Sequence, residues 1–551
     1  MRHAPAAPWA PAAYVLGLTL AAPALRAQPP APRAFVVRRG ADTLVVERLE
    51  QGADGTLTSR FTTRGGGLPI GARVVTTYTP APEGRVRRAV TEATAPGATT
   101  PAPRVVLTFG AAPGDSVDVQ VGAEAPRRVA AAPNVIPFGD LSVAPWELVL
   151  RRALALGGGT LRTATVPIFT GPGRPALAVT VAPQGRDSVV FTLNAVEVRA
   201  RVSRDGRVLG MRVPAQNVTF DAADPRAVSA LPAPAAPAPP SYAPPAGAPY
   251  AAEDVRVPTP GGFALAGTLT RPSAARGPVP VVVTITGSGP QERDERLAGI
   301  TGYALFRQIA DTLGRRGIGV LRLDDRGVGA SGGTFATATS RDFADDVRAA
   351  LAWLRARGAE RGDVDARRLA LLGHSEGGLI APMVAADDPA VAALVLMAGP
   401  AYTGRRVLTY QLRRDVVADT TLAPARRDSL LAVADRTRDS VLAGTAWMRF
   451  FDAYDPLATA RRVRAPVLVL QGATDRQVTP EQADTLAAAL RAGGDRDVTV
   501  RVFPDTDHLF LADPSGAPAG YAALPSKAVR PEVLGAVADW LAARLAPDAP
   551  R

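Results

Sequence analysis

Gly373-His374-Ser375-Glu376-Gly377 places a serine between two glycines at the spacing G-x-S-x-G. A serine hydroxyl is a poor nucleophile at neutral pH unless a neighbouring base takes its proton, and a carboxylate usually orients that base. The flanking glycines let the serine stand on a sharp strand-to-helix turn, where neighbouring backbone comes close and the hydroxyl is presented to a cleft. Alone, the pattern also fits an ordinary tight turn, so the partners of the serine decide the reading.

The chain has three histidines. His3 falls in an N-terminal leader, and His374 sits inside the turn, where it is expected to shape the turn with its side chain facing away from that of Ser375. His508 is left as the base, in Asp505-Thr506-Asp507-His508-Leu509-Phe510 just past the last expected strand. A lone loop histidine more often has no chemical role, but this place lets it reach over the end of a sheet. In chain order the carboxylate belongs between serine and histidine. Asp475, directly after a strand in Gln471-Gly472-Ala473-Thr474-Asp475, ranks first. Asp507 ranks second, because acids beside the histidine more often hold the loop or face solvent.

Acyl transfer also needs two donors aimed at a developing oxyanion. One is expected from the backbone N–H of Glu376. The other is expected from the amide of Ser288 or Gly289 in Gly287-Ser288-Gly289-Pro290-Gln291, for which a plain Gly-Pro turn is the alternative. Residues 327–332 match G-x-G-x-x-G, but no helix opens directly after them, so they are read as a structural loop rather than a nucleotide site. No cofactor and no metal site is implied.

The elements that must position these residues alternate. Residues 255–258 and 263–270 look like an opening antiparallel pair, followed by strands at 279–286, 319–324, 368–372, 391–397, 466–470 and 498–503. Helices are expected at 303–315, 341–355, 379–386, 480–490 and 531–545, with a helical insertion at about 402–454. This alternation predicts an α/β fold with a mostly parallel sheet covered on both faces and its chemistry at the carboxyl ends of the strands.

A chain of 551 residues exceeds one ordinary domain. Residues 28–229 read as a separate β-rich domain of curved or barrel-like form, with short runs alternating as in Val117-Asp118-Val119-Gln120 and the best helix signal at 144–156. This half has no histidine and no constellation that implies chemistry. Residues 230–250, rich in Pro and Ala, read as an extended linker, and residues 251–551 as the α/β domain. Residues 1–27 have the basic start, short apolar run and small-residue sites of a secretory signal peptide, which predicts an exported protein, periplasmic or secreted, without stable membrane insertion once cleaved. The chain has no cysteine, hence no disulfide framework. Its formal charge of +12 comes almost entirely from arginine dispersed among acids, so no nucleic-acid partner is expected.

Residues 251–551 resemble the α/β-hydrolase superfamily. Gly287 to Asp294 (Gly-Ser-Gly-Pro-Gln-Glu-Arg-Asp), Asp325-Arg326-Gly327-Val328-Gly329-Ala330-Ser331, the serine motif, and Trp447-Met448-Arg449-Phe450-Phe451 with Tyr454-Asp455-Pro456 resemble exported bacterial serine carboxylesterases with a helical cap. The resemblance implies Ser375 as nucleophile, His508 as general base and acid, Asp475 as its orienter, and a cap at about 402–454 over the acyl pocket. Leu408, Tyr410, Trp447, Phe450 and Phe451 are the pocket candidates. It further implies small-molecule esters of short to medium acyl chains as substrates. An aminopeptidase-type peptidase, or an acyltransferase or thioesterase with the same triad, is the alternative among enzymes, although no motif marks an acidic amine pocket or a coenzyme A site. A ligand-binding protein with a vestigial hydrolase domain is the alternative of another class. The sequence does not indicate an oligomeric state.

Overall fold

The computed structural model describes residues 30–547 except residue 41 and residues 66–70, 95–103, 111–115, 124, 130–135, 139–140, 158–160, 168–176, 194–195, 231–240 and 298–299. The leader read at residues 1–27 and residues 231–240 of the Pro/Ala-rich segment lie outside the described residues.

The N-terminal half is a separate β-rich domain built on one 15-stranded sheet. The chain meanders outward from Arg33–Arg39 to an edge strand at Arg127–Val129, then returns from the opposite edge, Ile136–Phe138, until Val218–Ala223 pairs with Arg33–Arg39. Neighbours are antiparallel apart from the parallel pair Ile136–Phe138 and Leu161–Pro167. The helix Ala144–Ala155 lies on the apolar face, where the Trp146 ring sits 5.0 Å from that of Phe191. Its start is fastened by the buried Glu47, which accepts hydrogen bonds from Val143 N–H (2.7 Å) and from the hydroxyls of Ser142 (2.5 Å) and Ser59 (2.6 Å). Burial pushes the Glu47 carboxyl up despite these bonds. Strands such as Leu57–Thr63 and Arg85–Thr94 are hard to see in the sequence because Ser59, Thr63 and Thr91 occupy inward positions and dilute the apolar alternation.

In the C-terminal half, Tyr250–Pro258 (β1) and Ala264–Pro272 (β2) open an eight-stranded sheet. Val279–Ile285 (β3), Gly319–Leu323 (β4), Val364–His374 (β5), Ala393–Met397 (β6), Val467–Gly472 (β7) and Val498–Phe503 (β8) complete it in the order β1-β2-β4-β3-β5-β6-β7-β8. Strand β2 runs antiparallel to β1 and β4, and the remaining neighbours are parallel. The central strands β3, β6 and β7 are buried along their whole length, as continuous apolar runs in a doubly covered sheet require.

The helices are Leu305–Gly314 (α1), Ser340–Arg361 (α2), Glu376–Ala385 (α3), Gly404–Ala418 (α4), Pro424–Gly444 (α5), Ala446–Ala453 (α6), Pro456–Ala460 (α7), Glu481–Ala492 (α8) and Pro531–Arg544 (α9). Helices α2, α3 and α8 pack on one face through Leu351, Leu379 and Leu486. Helices α1 and α9 cover the other through Phe306, Ile309, Val537 and Leu541. Helices α4 to α6 are inserted between β6 and β7, and their few buried residues mark them as a layer laid over the domain rather than part of its core.

Residues 241–249 pack against this domain. The Tyr242 ring lies 4.1 Å from the Arg293 guanidinium, and Arg307 donates to the carbonyls of Ser241 (2.6 Å) and Ala243 (2.9 Å). Composition, which suggested extended chain up to residue 250, gives no weight to these few specific contacts. Among the described residues no helix is long and apolar enough to cross a membrane.

Candidate active site

Strand β5 ends at His374 and α3 starts at Glu376, so Ser375 alone makes the turn, with φ 51° and ψ −116°. A non-glycine residue pays conformational energy in that region, and the surrounding contacts must hold it there. Ser375 N–H donates to Met397 O (2.8 Å) at the end of β6, and Gly378 N–H donates to Ser375 O (2.9 Å). The glycines are dictated by space. A Cβ on Gly373 would lie 2.0 Å from Gly377 O, and one on Gly377 would lie 2.1 Å from Ile285 O.

Ser375 Oγ lies 3.0 Å from His508 Nε2, and His508 Nδ1 lies 2.7 Å from Asp475 Oδ2. His508 and Asp475 are both buried. The Asp475 carboxylate is held by three further donors: Gln471 Nε2 on Oδ2 (2.9 Å), and the N–H groups of Gln477 (2.7 Å) and Val478 (3.0 Å) on Oδ1. The His508 loop crosses directly over the end of β7, where a Cβ on Gly472 would meet Thr506 O at 2.3 Å. Asp507, the second-ranked acid, faces its own loop and accepts the N–H groups of Leu509 and Leu511, each at 2.9 Å. Burial pushes its carboxyl up to about 6. It is thus Asp475, not Asp507, that meets the histidine.

Glu376 is the first residue of α3, so its N–H has no intrahelical acceptor and lies at the positive end of the helix dipole. The strand-end loop expected to supply the second donor lies beside it, with an ideal Gly287 Cβ 3.3 Å from Ser375 Cβ. Gly287 N–H is already given to Glu295 Oε1 (2.9 Å), which leaves the amides of Ser288 and Gly289 as the candidates; Gly289 adopts φ 98°, a conformation suited to glycine. Asp325 staples the ends of this loop, accepting from Thr286 Oγ1 (2.7 Å) and Gln291 N–H (3.0 Å). Burial pushes the Asp325 carboxyl well up. The glycine-rich loop 327–332 is wrapped on Asp324, which accepts Ala330 N–H (3.1 Å) and pairs with Arg293 (2.9 Å), in keeping with a structural role.

The Glu376 side chain joins the inserted helices to the serine turn. Its buried Oε1 accepts from the Trp447 indole N–H (2.6 Å) and the Ser340 hydroxyl (2.6 Å). Burial pushes this carboxyl up, against the pull of these bonds and one from the Ser288 side chain. Trp447 stacks on Phe451 with ring centroids 5.8 Å apart, and Phe450 on Tyr454 at 5.5 Å, all on or just after α6. Leu408 is half-buried on α4. Tyr410 departs from the expected pocket set: it is 39% exposed and lines an open groove with Arg413, Arg414, Val417 and Arg476. The residues of α4 that are buried are Gly404 and Val407.

Two residues at the site have a larger part than the sequence suggested. His374 is buried, with Nδ1 2.8 Å from Glu295 Oε1 and Nε2 2.9 Å from the backbone carbonyl of His508. Glu295 follows the donor loop in Gln291-Glu292-Arg293-Asp294-Glu295, where one acid among several charges carries no distinguishing signal. The link between Trp447 and Glu376 was equally invisible, since their pairing spans 71 residues of sequence.

A family model described as serine aminopeptidase, S33, matches residues 300–515, a span that holds Ser375, Asp475 and His508. The C-terminal domain has the α/β-hydrolase fold. Esterase EstD of Thermotoga maritima is 28% identical over 285 residues, covering 50% of this chain and 65% of that protein. Dipeptidyl aminopeptidase BIII of Pseudoxanthomonas mexicana is 28% identical over 242 residues, covering 43% of this chain and 31% of that protein. This chain thus spans less than two thirds of the length of either relative. Among solved structures, an esterase of Pyrococcus furiosus matches at 18% identity with a TM-score of 0.36, covering 54% of this chain and 93% of that one. The hydrolase domain resembles bacterial esterases, as its motifs implied.

Proposed function

We propose that the protein is a serine hydrolase that cleaves carboxylic esters of short to medium acyl chains through an acyl-enzyme on Ser375. The observation that carries this reading is the continuous line from Asp475 Oδ2 through His508 to Ser375 Oγ, at 2.7 and 3.0 Å, ending on a serine held in a strained turn. Asp475 keeps the His508 proton on Nδ1, so that Nε2 is free to accept the serine proton as Oγ attacks the acyl carbon. The developing oxyanion is received by Glu376 N–H and by the Ser288 or Gly289 amide, and His508 then returns the proton to the leaving alcohol. Water repeats the sequence and releases the acid. The inserted helices, tied through Trp447 to Glu376, form the cap over the acyl site, with Trp447 and Phe451 as its apolar wall.

A peptidase reading has support of its own, because the matching family model and one of the two relatives above bear peptidase names. Labelling with a fluorophosphonate, followed by peptide mapping, tests the shared part: a single adduct on Ser375, absent in Ser375→Ala, is expected. Labelling elsewhere, or ester turnover retained by folded Ser375→Ala, refutes it. A chain-length series of esters set against aminoacyl and dipeptidyl amides decides between the readings, with faster ester cleavage expected. We further propose that the enzyme acts outside the cytoplasm, on the strength of the leader pattern in residues 1–27. An N-terminus beginning at or near Gln28 in protein recovered from the exported fraction is the expected result.

A further inference from the structure

The contact between His374 and Glu295 takes no part in the steps above, and its hydrogen bonds require one more proton than a neutral imidazole and a carboxylate carry. His374 Nε2 lies 2.9 Å from His508 O, a carbonyl that can only accept, so Nε2 bears a hydrogen. Nδ1 lies 2.8 Å from Glu295 Oε1. A neutral imidazole that keeps its hydrogen on Nε2 would turn a lone pair on Nδ1 toward that oxygen. With His374 only 3% exposed and Glu295 1% exposed, solvent does not relieve such a clash. The same Oε1 also accepts Gly287 N–H at 2.9 Å.

We propose that Glu295 holds His374 as an imidazolium, and that this buried pair positions the oxyanion loop and the loop of the catalytic base together. The link runs from Gly287 N–H to Glu295 Oε1, from Oε1 to His374 Nδ1–H, and from Nε2–H to the carbonyl of His508. Gly287 adjoins the two candidate oxyanion donors, and the carbonyl belongs to the base itself. Burial opposes the charge on His374, but the Glu295 carboxylate and the two hydrogen bonds outweigh it and raise its pKa. The groups around the pair are Tyr303 ahead of α1, Asp325 after β4, Asp475 after β7, and Asp507 with His508; of these acids it is Asp475 that favours the positive ring. As pH rises through the raised value the proton leaves, Nδ1 faces a carboxylate oxygen with a lone pair, and the link opens. Activity therefore has an alkaline limb set by His374.

The catalytic consequence rests on Ser375 being the nucleophile, whereas the charge on His374 does not. Nitrogen-15 NMR of the histidine-labelled full chain, with the His374→Asn variant for assignment, reads that charge directly among three histidines. Both ring nitrogens of His374 are expected to carry a proton at pH 7; a neutral ring there overturns the proposal. Glu295→Gln supplies the kinetic test. One oxygen serves two donors, so a glutamine beside a neutral His374 loses either Gly287 N–H or the ring contact. Ester kcat is expected to fall about 10- to 100-fold with KM within about threefold, as part of what one oxyanion donor contributes, and the alkaline limb is expected to vanish. A kcat within about threefold, or an unchanged limb, overturns the positioning role. If the variant does not fold, the limb and the NMR titration of the unaltered protein must still coincide, and a mismatch overturns it. If the unaltered protein turns over no ester, the NMR result still stands and only the esterase reading fails.

Discussion

Replacing Asp475 by asparagine exchanges one oxygen for an NH2 group and should all but stop the hydrolase. Asp475 Oδ1 receives two backbone donors, Gln477 and Val478, at 2.7 and 3.0 Å, and the oxygen of an asparagine would stay with them. The NH2 group then takes the place of Oδ2, 2.7 Å from His508 Nδ1. It donates to that nitrogen and drives the ring proton onto Nε2, the atom facing Ser375 Oγ at 3.0 Å. A base already protonated there cannot accept the serine proton. The corresponding change in other serine hydrolases costs roughly 10⁴ in kcat, which is about 5.5 kcal/mol of transition-state stabilisation. The same NH2 meets the Gln471 amide donor, and turning that amide over sacrifices its bond to Val478 O (2.9 Å). Stability should therefore drop by about 1 to 3 kcal/mol, well short of unfolding the domain. The assay is kcat and KM on an activated aryl ester alongside urea unfolding of the same preparation. Asp507→Asn is the control, since its oxygen can still accept from Leu509 and Leu511, and kcat should stay within about tenfold. Folded Asp475→Asn protein retaining more than about a tenth of kcat, or an equal loss in Asp507→Asn, would refute the assignment.

Asp507 carries a pH prediction of its own. Its folded pKa of about 6 lies above its ordinary 3.8, so folding favours the protonated acid: that stability is fully present below pH 3.8 and is lost as pH rises through 6. At about 1.36 kcal/mol per pH unit, Asp507→Asn should gain up to about 3 kcal/mol on the unaltered protein between pH 4 and pH 8; parallel stability profiles in urea would contradict this. Gly377→Ala brings a Cβ to 2.1 Å from Ile285 O, and because both groups are backbone the elbow should lose about 3 kcal/mol or more. A denaturation midpoint near that of the unaltered protein would show that the turn tolerates the side chain. Trp447→Phe keeps the ring stack on Phe451 but loses the 2.6 Å bond to Glu376. A bond to a charged acceptor is worth about 1.5 to 3 kcal/mol, so proteolytic nicking within residues 402–454 should quicken by about tenfold or more, and an unchanged rate would rule out the tether.

The sequence alone carried a large part of the catalytic domain. Continuous apolar runs in β3, β6 and β7 identify strands buried on both faces, and the glycines around Ser375 identify a turn with no room for Cβ atoms. The small number of histidines left His508 as the one base able to reach the serine. All of these are local constraints of periodicity, backbone conformation and chemical type, and they are written in neighbouring residues. What only the tertiary structure decided are pairings across long stretches of chain. Asp475 and Asp507 both satisfy chain order or proximity, and only the packing of the His508 loop on Gly472 turns one toward the ring and the other into its own loop. Glu295 and His374 stand 79 residues apart, and Glu376 and Trp447 stand 71 apart, each pair meeting only because the sheet and the cap bring them into one buried space. There, with no water to satisfy it, a polar group must find its partner in the protein, and which partner it finds depends on the fold rather than on any spacing along the chain.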